Sequence, residues 1–435
     1  MRSRIVAILL LLTVALTGRA APSWASGETA LKTRISREMS RAGVHSGAYV
    51  RDMDSGEELF ALRENAVRIP ASVQKLYTTA TALLRLGPSS TLQTSAVTAP
   101  RAPVGPDGVL HGDLVLVGGG DPFFGDDAAV QLAGAVRLSG IRRVDGAIVG
   151  DESGFDFRRA GCCAGYDSEL GGVLSALAYD RGIFRGRAQL DAARFAAARF
   201  AAQLRRLGVR SGAASTSGIA PAGSRRIAAV PSRSVGELVR FINVPSNNFA
   251  AEMLLKGLGA RLGGAGSLSA GADVVRDTLD DFGVRPRIVD GSGLSRLDRT
   301  TPRQVVRLLE RMHNQDVAQS FRSSLAVSGS TGTVARRMRG TAAAGACQVK
   351  TGTLRGVSTL AGYCRTVAGR DIGFALLMNR VNISGAQMLQ DRITAAIASL
   401  DEAGDQPPAA DSGAAMPQPE PDSRLTRAHA LKRAA

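Results

Sequence analysis

At 435 residues the chain exceeds the ~250 to 300 at which a single hydrophobic core stops growing, which predicts at least two domains. With 44% hydrophobic residues, 21% charged residues and four cysteines, it is neither disordered throughout nor a small disulfide scaffold. The net charge of +16 favours anionic surroundings such as nucleic acid, an acidic wall polymer or a membrane surface, without choosing among them.

Arg2 and Arg4 precede the apolar run from Ile5 to Leu16, and Ser23, Trp24 and Ala25 form a small-x-small cleavage site. Residues 1–25 therefore read as a secretory signal peptide, whose removal would take away Trp24, the only tryptophan. The apolar run of 12 residues is short for a bilayer that needs ~20. No later segment is longer, so the mature chain is expected outside the cytoplasm, in the periplasm, on the cell wall or free, with no transmembrane anchor. Export argues against a nucleic-acid partner, as does the lack of aromatic platforms and of a recognisable nucleic-acid-binding motif.

Next, Leu31, Ile35 and Met39 recur at helical spacing, ahead of a hairpin pattern from Ala48–Val50 through Asp54, Ser55 and Gly56 to Leu59–Ala61. Residues 71–86 read as a helix that begins after Pro70 and stops at Gly87 and Pro88. From 91 to 183 short strands alternate with Gly, Asp and Pro turns. The run Gly118–Gly120 predicts a tight turn, because no Gly-Lys-Ser/Thr follows it and no helix is expected after it. Helices are expected over 191–207, 233–257, 271–282 and 302–313, then strands over 347–354, 357–364 and 372–378, then a helix carrying Leu389, Ile393, Ile397 and Leu400. This order predicts an α+β fold split by an insertion: one discontinuous domain over 26–90 and 226–400, an inserted β-rich domain over 91–225, and a disordered Pro-containing tail over 401–435.

Lysine is scarce, with five residues (Lys32, Lys75, Lys256, Lys350 and Lys432) against 49 arginines. Only lysine readily loses its proton when buried or set beside another cation, so its positions are informative. Ser72 and Lys75 form Ser-x-x-Lys at a predicted helix start, where residues i and i+3 share a face and a hydroxyl can meet a base. About 0.4 such patterns arise by chance, and a cap beside a solvated lysine reads equally well from this motif alone. Ser246 and Asn248 form the chain's only Ser-x-Asn, which as an isolated motif also suits an N-cap cluster. Lys350, Thr351, Gly352 and Thr353 lie on a predicted strand, where glycine leaves room for close approach, and Lys-Thr-Gly is expected by chance on the order of 0.03 times.

The three motifs in this order, behind an export signal, resemble the signature of penicillin-binding proteins and class A β-lactamases, with Asn247 where that signature has Asp. The stretches Pro70–Tyr77, Gly112–Pro122, Asp290–Arg296, Gly329–Gly332 and Lys350–Tyr363 further resemble the D-alanyl-D-alanine carboxypeptidase/endopeptidase family, the type-4 class C low-molecular-mass penicillin-binding proteins. That resemblance implies a penicillin-binding, transpeptidase-like domain with an antiparallel sheet flanked by helices. Ser72 and Ser246 are 174 positions apart, shorter than is usual for the family, which implies that its third domain is missing or vestigial.

What the resemblance implies chemically is acyl transfer on peptidoglycan stem peptides. Ser72 would be the nucleophile and Lys75 its base, with Lys350 adding a like charge that helps to hold Lys75 neutral. Ser246 would relay the proton to the leaving amine, Asn248 would bond the substrate amide, and Lys350 and Thr351 would hold the terminal carboxylate. Gly352 belongs to the substrate-binding strand, the backbone N–H groups of Ser72 and Thr353 would form the oxyanion hole, and β-lactams would be covalent inhibitors. No cofactor is implied. The histidines, His45, His111, His313 and His429, show no metal-ligand spacing. Asp290 reads equally as a cleft element and as a turn cap.

Two other readings compete. One is a wall-binding or penicillin-sensing module that acylates without turnover. The other is a β-lactamase, disfavoured because Glu-x-x-Leu-Asn is absent between Ser72 and Ser246, where Glu169 is followed by Leu170 and Gly171. If Arg355 and Gly356 form the hairpin turn, Cys347 faces Cys364 across the strands, a pair that an oxidising compartment would join. Cys162 and Cys163 read either as a vicinal bridge or as free thiols.

Overall fold

The computed structural model describes residues 24–161 and 165–401, with side chains described from residue 27. The expectations for residues 1–23, for Cys162 and Cys163, and for the tail beyond Asp401 lie outside the described residues.

A six-stranded sheet organises the molecule, in the order Ala326–Val327, Cys347–Leu354, Val357–Arg365, Asp371–Asn379, Ser46–Asp52, Glu58–Leu62, with every neighbouring pair antiparallel. Its central strands are apolar on both faces, so both must be covered. Along Asp371–Asn379, Ile372, Phe374, Leu376 and Met378 join a core with the helices Trp24–Arg41 and Ile383–Ala398. Ala375 and Leu377 point the other way, into a larger core with Leu76, Leu83, Ile242, Leu255 and Leu309. That second face is covered by the helices Lys75–Leu86, Val235–Asn243, Asn248–Leu262, Leu268–Asp280 and Pro302–His313. The α+β class with helices flanking an antiparallel sheet is the architecture expected from the sequence.

The hairpin at Arg355–Gly356 has the expected register: Cys347 opposes Cys364, both are fully buried, and they are joined in a disulfide. A loop of this size, closed by a sequence separation of 17, corresponds to about 3 kcal/mol of denatured-state entropy, reduced where the hairpin already holds the ends together. The Cys347→Ala/Cys364→Ala variant should therefore lose about 2 to 3 kcal/mol of stability in a denaturant titration. In the parent protein neither thiol should be alkylated without reduction.

A second sheet of five strands lies in the stretch between the first two motifs, in the order Thr216–Ser217, Ile148–Asp151, Leu114–Val117, Thr91–Thr98, Arg225–Ser234. Its first two pairings are parallel and the others antiparallel. Helices Asp126–Leu138 and Ala192–Arg206 pack on it through Leu132, Val136, Phe200 and Leu204. The first of these corrects the strand-and-turn reading of 91–183, and with it the expectation that no helix follows Gly118–Gly120. Ala129, Leu132, Ala133 and Val136 do share one helical face, but small side chains and Gly134 made the periodicity weak. The glycine run itself is packed against chain: a Cβ on Gly118 would lie 2.2 Å from the Ala176 carbonyl oxygen and one on Gly119 2.1 Å from that of Gln93.

Two further boundaries differ from expectation and matter for the site. Residues Ala71–Gln74 form a 3-10 turn and the α-helix proper starts at Lys75, because Ala71 is left-handed at φ 48°. The helical text over 233–257 is broken between Asn243 and Asn248, where Pro245 precedes Ser246 at φ 63°.

Candidate active site

The 3-10 turn brings residues three apart nearly into eclipse, so Ser72 and Lys75 face the same way. Lys75 Nζ lies 2.8 Å from Ser72 Oγ, 2.7 Å from Asn248 Oδ1 and 2.5 Å from the Ser292 carbonyl oxygen. Asn248 Nδ2 donates to the Glu169 carbonyl at 2.9 Å, which fixes the amide so that its oxygen faces the lysine. A neutral lysine has two N–H groups and one lone pair. Asn248 Oδ1 and the Ser292 carbonyl can only accept, so they take both N–H groups and leave the lone pair for the Ser72 hydroxyl.

Burial drives Lys75 toward that neutral state. Its side chain is fully enclosed, and desolvation lowers its pKa to about 7, against the opposing pull of Asp290, Glu252 and Asp298. Lys350 is held well below its usual value by burial first and by Lys75 second, whereas Lys75 owes its shift to burial.

Lys350 reaches the same place from the 347–354 strand. Its Nζ lies 2.8 Å from Ser246 Oγ and 2.7 Å from the Thr351 carbonyl oxygen. Thr351 Oγ1 bonds Thr333 Oγ1 at 2.7 Å, placing the Gly329–Gly332 loop behind the strand. Asn247 Oδ1 caps the 248–262 helix by accepting from Ala250 N at 2.9 Å. The cap reading of this motif thus holds for Asn247, while Ser246 and Asn248 lie against the two lysines. Left-handed backbone at Ala71, next to Ser72, and at Ser246 itself, both non-glycine residues, is strain of the kind that clusters at working sites.

Gly352 shows why the strand needs glycine. A Cβ there would lie 2.2 Å from Thr359 Oγ1, 2.8 Å from the Pro70 carbonyl oxygen and 2.9 Å from Ser72 N. Thr359 Oγ1 itself donates to Pro70 O at 2.7 Å, so the turn bearing Ser72 is bonded to the sheet at this point. Gly352→Ala would push the Ser72 amide out of line. The expected loss is about 10²-fold or more in acylation rate by a fluorescent penicillin, the scale of a lost oxyanion donor.

Several contributors were not visible from sequence. Glu252 accepts from the Gly291 and Ser292 amides at 2.9 Å each, fixing the carbonyl that Lys75 touches. Asp290, which the sequence did single out as either a cleft element or a turn cap, accepts from Gly293 N and Ser295 N at 2.6 Å each and so caps a turn. Burial and the neighbouring Asp290 carboxylate push both Glu252 and Asp298 up. Glu169, Asn248, Leu294, Arg296, Thr353, Leu354 and Arg355 line an adjoining cavity of about 520 Å³.

The model of the D-Ala-D-Ala carboxypeptidase 3 (S13) family matches residues 28–169 and 168–402. A D-alanyl-D-alanine carboxypeptidase from Actinomadura is 31% identical over 84% of this chain and 83% of its own. A carboxypeptidase from Mycolicibacterium smegmatis is 30% identical over 77% and 76% respectively. Penicillin-binding protein 4 from Haemophilus influenzae shares the fold, with a TM-score of 0.70 at 19% identity over 82% of this chain and 97% of its own. From the extent of these matches, the chain belongs to the D-Ala-D-Ala carboxypeptidase 3 (S13) family.

Proposed function

We propose that this D-Ala-D-Ala carboxypeptidase works through an acyl-enzyme on Ser72, and that Lys75 in its neutral form is the base. The observation that supports this most is the hydrogen-bond set of Lys75, whose two N–H groups have acceptor-only partners while the nitrogen lies 2.8 Å from Ser72 Oγ. Ser72 Oγ attacks the carbonyl of the penultimate D-alanine as its proton passes to Lys75. The oxyanion is met by the backbone N–H groups of Ser72 and Thr353. The C–N bond then breaks, and the proton that Lys75 received passes through Ser246, which Lys350 orients at 2.8 Å, to the leaving D-alanine, so that Lys75 is neutral again. Water cleaves the ester and restores the Ser72 hydroxyl.

Lys350 has a second task in this reading. Buried and depressed in pKa, it is readily neutral in the empty site, and the terminal carboxylate of an arriving peptide favours its protonation. Lys350 and Thr351 would hold that carboxylate, Gly352 would let the strand approach Ser72, and Asn248 would bond the peptide amide. The same cleft would take β-lactams as covalent inhibitors. Stem peptides of peptidoglycan are the substrate class, and the wall compartment is the corresponding location. Among the described residues no helix is long and apolar enough to cross a membrane.

The test is release of free D-alanine from a model peptide ending in D-alanyl-D-alanine, read beside penicillin labelling. Both should occur. Labelling without D-alanine release would favour a penicillin-binding module without turnover, and rapid hydrolysis of nitrocefin would favour a β-lactamase.

A further inference from the structure

Beside the catalytic cleft, around the Arg355–Gly356 turn, lies a second cavity of about 380 Å³ whose wall includes Arg68, Arg296, Arg299, Arg355, Arg380 and His45. Arg296 and Arg355 also border the cavity beside Asn248 and Thr353, so the two spaces are neighbours. Among the described residues, none of these five guanidiniums has a carboxylate oxygen within 4 Å. Their hydrogen bonds go to uncharged groups. Arg68 Nη2 donates to Ser46 O at 3.1 Å, Arg296 Nη1 to Arg355 O at 3.0 Å and Arg299 Nη1 to Arg296 O at 2.6 Å. Arg380 Nη1 lies 3.2 Å from His45 Nε2.

Arginines elsewhere in this fold are treated differently. Arg370 meets Glu28, Asp52 and Glu57, and Arg322 is held by Asp371. The one carboxyl within 296–299, Asp298, is fully buried and accepts from Val289 N, and it makes no ion pair with these arginines. Arg68 is itself only 7% exposed, and its Nε has no partner. Five like charges in one concavity repel each other and focus a positive potential. A guanidinium offers five donors in a fork matched to oxyanions, and many of these donors remain free here.

We propose that this pocket binds phosphate groups of an anionic polymer, and so tethers the enzyme beside its polymeric substrate. A carboxylate holds its two oxygens in one plane, whereas a tetrahedral phosphate presents oxygens in several directions to guanidiniums that enter from different parts of the wall, which favours phosphate. The tethering use rests on the carboxypeptidase reading of the cleft. The binding itself does not.

The test is calorimetric titration of the signal-free protein with inorganic tripolyphosphate, and with poly-glutamate as a carboxylate comparison, at low and at moderate salt. Saturable tripolyphosphate binding is expected, weakened by salt and weakened at least tenfold in Arg299→Gln/Arg380→Gln. Arg380→Gln alone should weaken it less, and Arg225→Gln/Arg226→Gln, on an exposed strand of the other sheet, should leave it unchanged. Penicillin labelling at the parent rate would show that the variants are folded, since neither Arg299 nor Arg380 borders the cleft cavity. Equal weakening by both arginine pairs, absence of saturable binding, or poly-glutamate binding as tightly as tripolyphosphate would overturn the proposal. Each of these is read without turnover, so a failed tether is distinguishable from a failed catalytic assignment.

Discussion

Ser72→Ala is expected to abolish covalent labelling by a fluorescent penicillin and to reduce D-alanine release to the background rate. The substitution removes one hydroxyl from a half-buried position and leaves the 3-10 turn, Lys75 and the sheet contacts in place, so folding should be unaffected. An acyl-enzyme needs its nucleophile, and among the described residues only Ser72 and Ser246 have a lysine amine within hydrogen-bond distance of the hydroxyl. Ser246 is the nearest rival, because Lys350 Nζ lies 2.8 Å from its Oγ. Labelling that persists in Ser72→Ala and vanishes in Ser246→Ala would transfer the nucleophile to the second motif.

Lys75→Met should lower the acylation rate by about 10² to 10⁴, the usual contribution of a positioned base. Methionine is the informative replacement because it is unbranched, of similar length and at ease in a fully buried site. It removes the proton acceptor and leaves Asn248 Oδ1 and the Ser292 carbonyl without their donor. Each orphaned acceptor costs about 1 to 3 kcal/mol, offset in part because a desolvated amine is removed as well. The variant should therefore still fold but melt somewhat below the parent, while labelling slows. A labelling rate within tenfold of the parent, on folded protein, would mean that another group takes the Ser72 proton.

The parts of the site that could be read from sequence are those fixed by short-range rules. Ser72 and Lys75 meet because three residues of tight helix separate them, and Lys350–Thr353 fall on a strand whose hairpin register follows from one turn. The same register placed Cys347 opposite Cys364. What remained hidden depends on burial, which short windows do not report. Nothing near Glu252 in sequence indicates that it clamps the amides of residues 291 and 292, some 40 positions away. The Ser292 carbonyl and the Glu169 carbonyl are backbone groups, which carry no residue signature at all.

The direction of the lysine coupling was hidden for the same reason. Two buried amines repel each other, but which one loses its proton depends on the carboxylates around each. Burial lowers both; Asp290, Glu252 and Asp298 pull Lys75 back upward, whereas Lys350 is lowered further by Lys75. The helix at 126–138 was obscured by composition instead. Alanine and glycine give a weak periodic signal even where the buried face is regular.

On the proposed mechanism Lys75 acts as a base only when neutral, and with its pKa lowered to about 7 the neutral fraction grows as pH rises through that value. The direct measurement is the second-order rate of acylation by a fluorescent penicillin across the range from about pH 5 to pH 10. The rate should climb roughly tenfold per pH unit on the acid side, bend near pH 7 and level off above it. A rate that keeps climbing toward pH 10 would mean an ordinary, charged lysine, and one that is flat through neutrality would mean that Lys75 is not the group that takes the Ser72 proton.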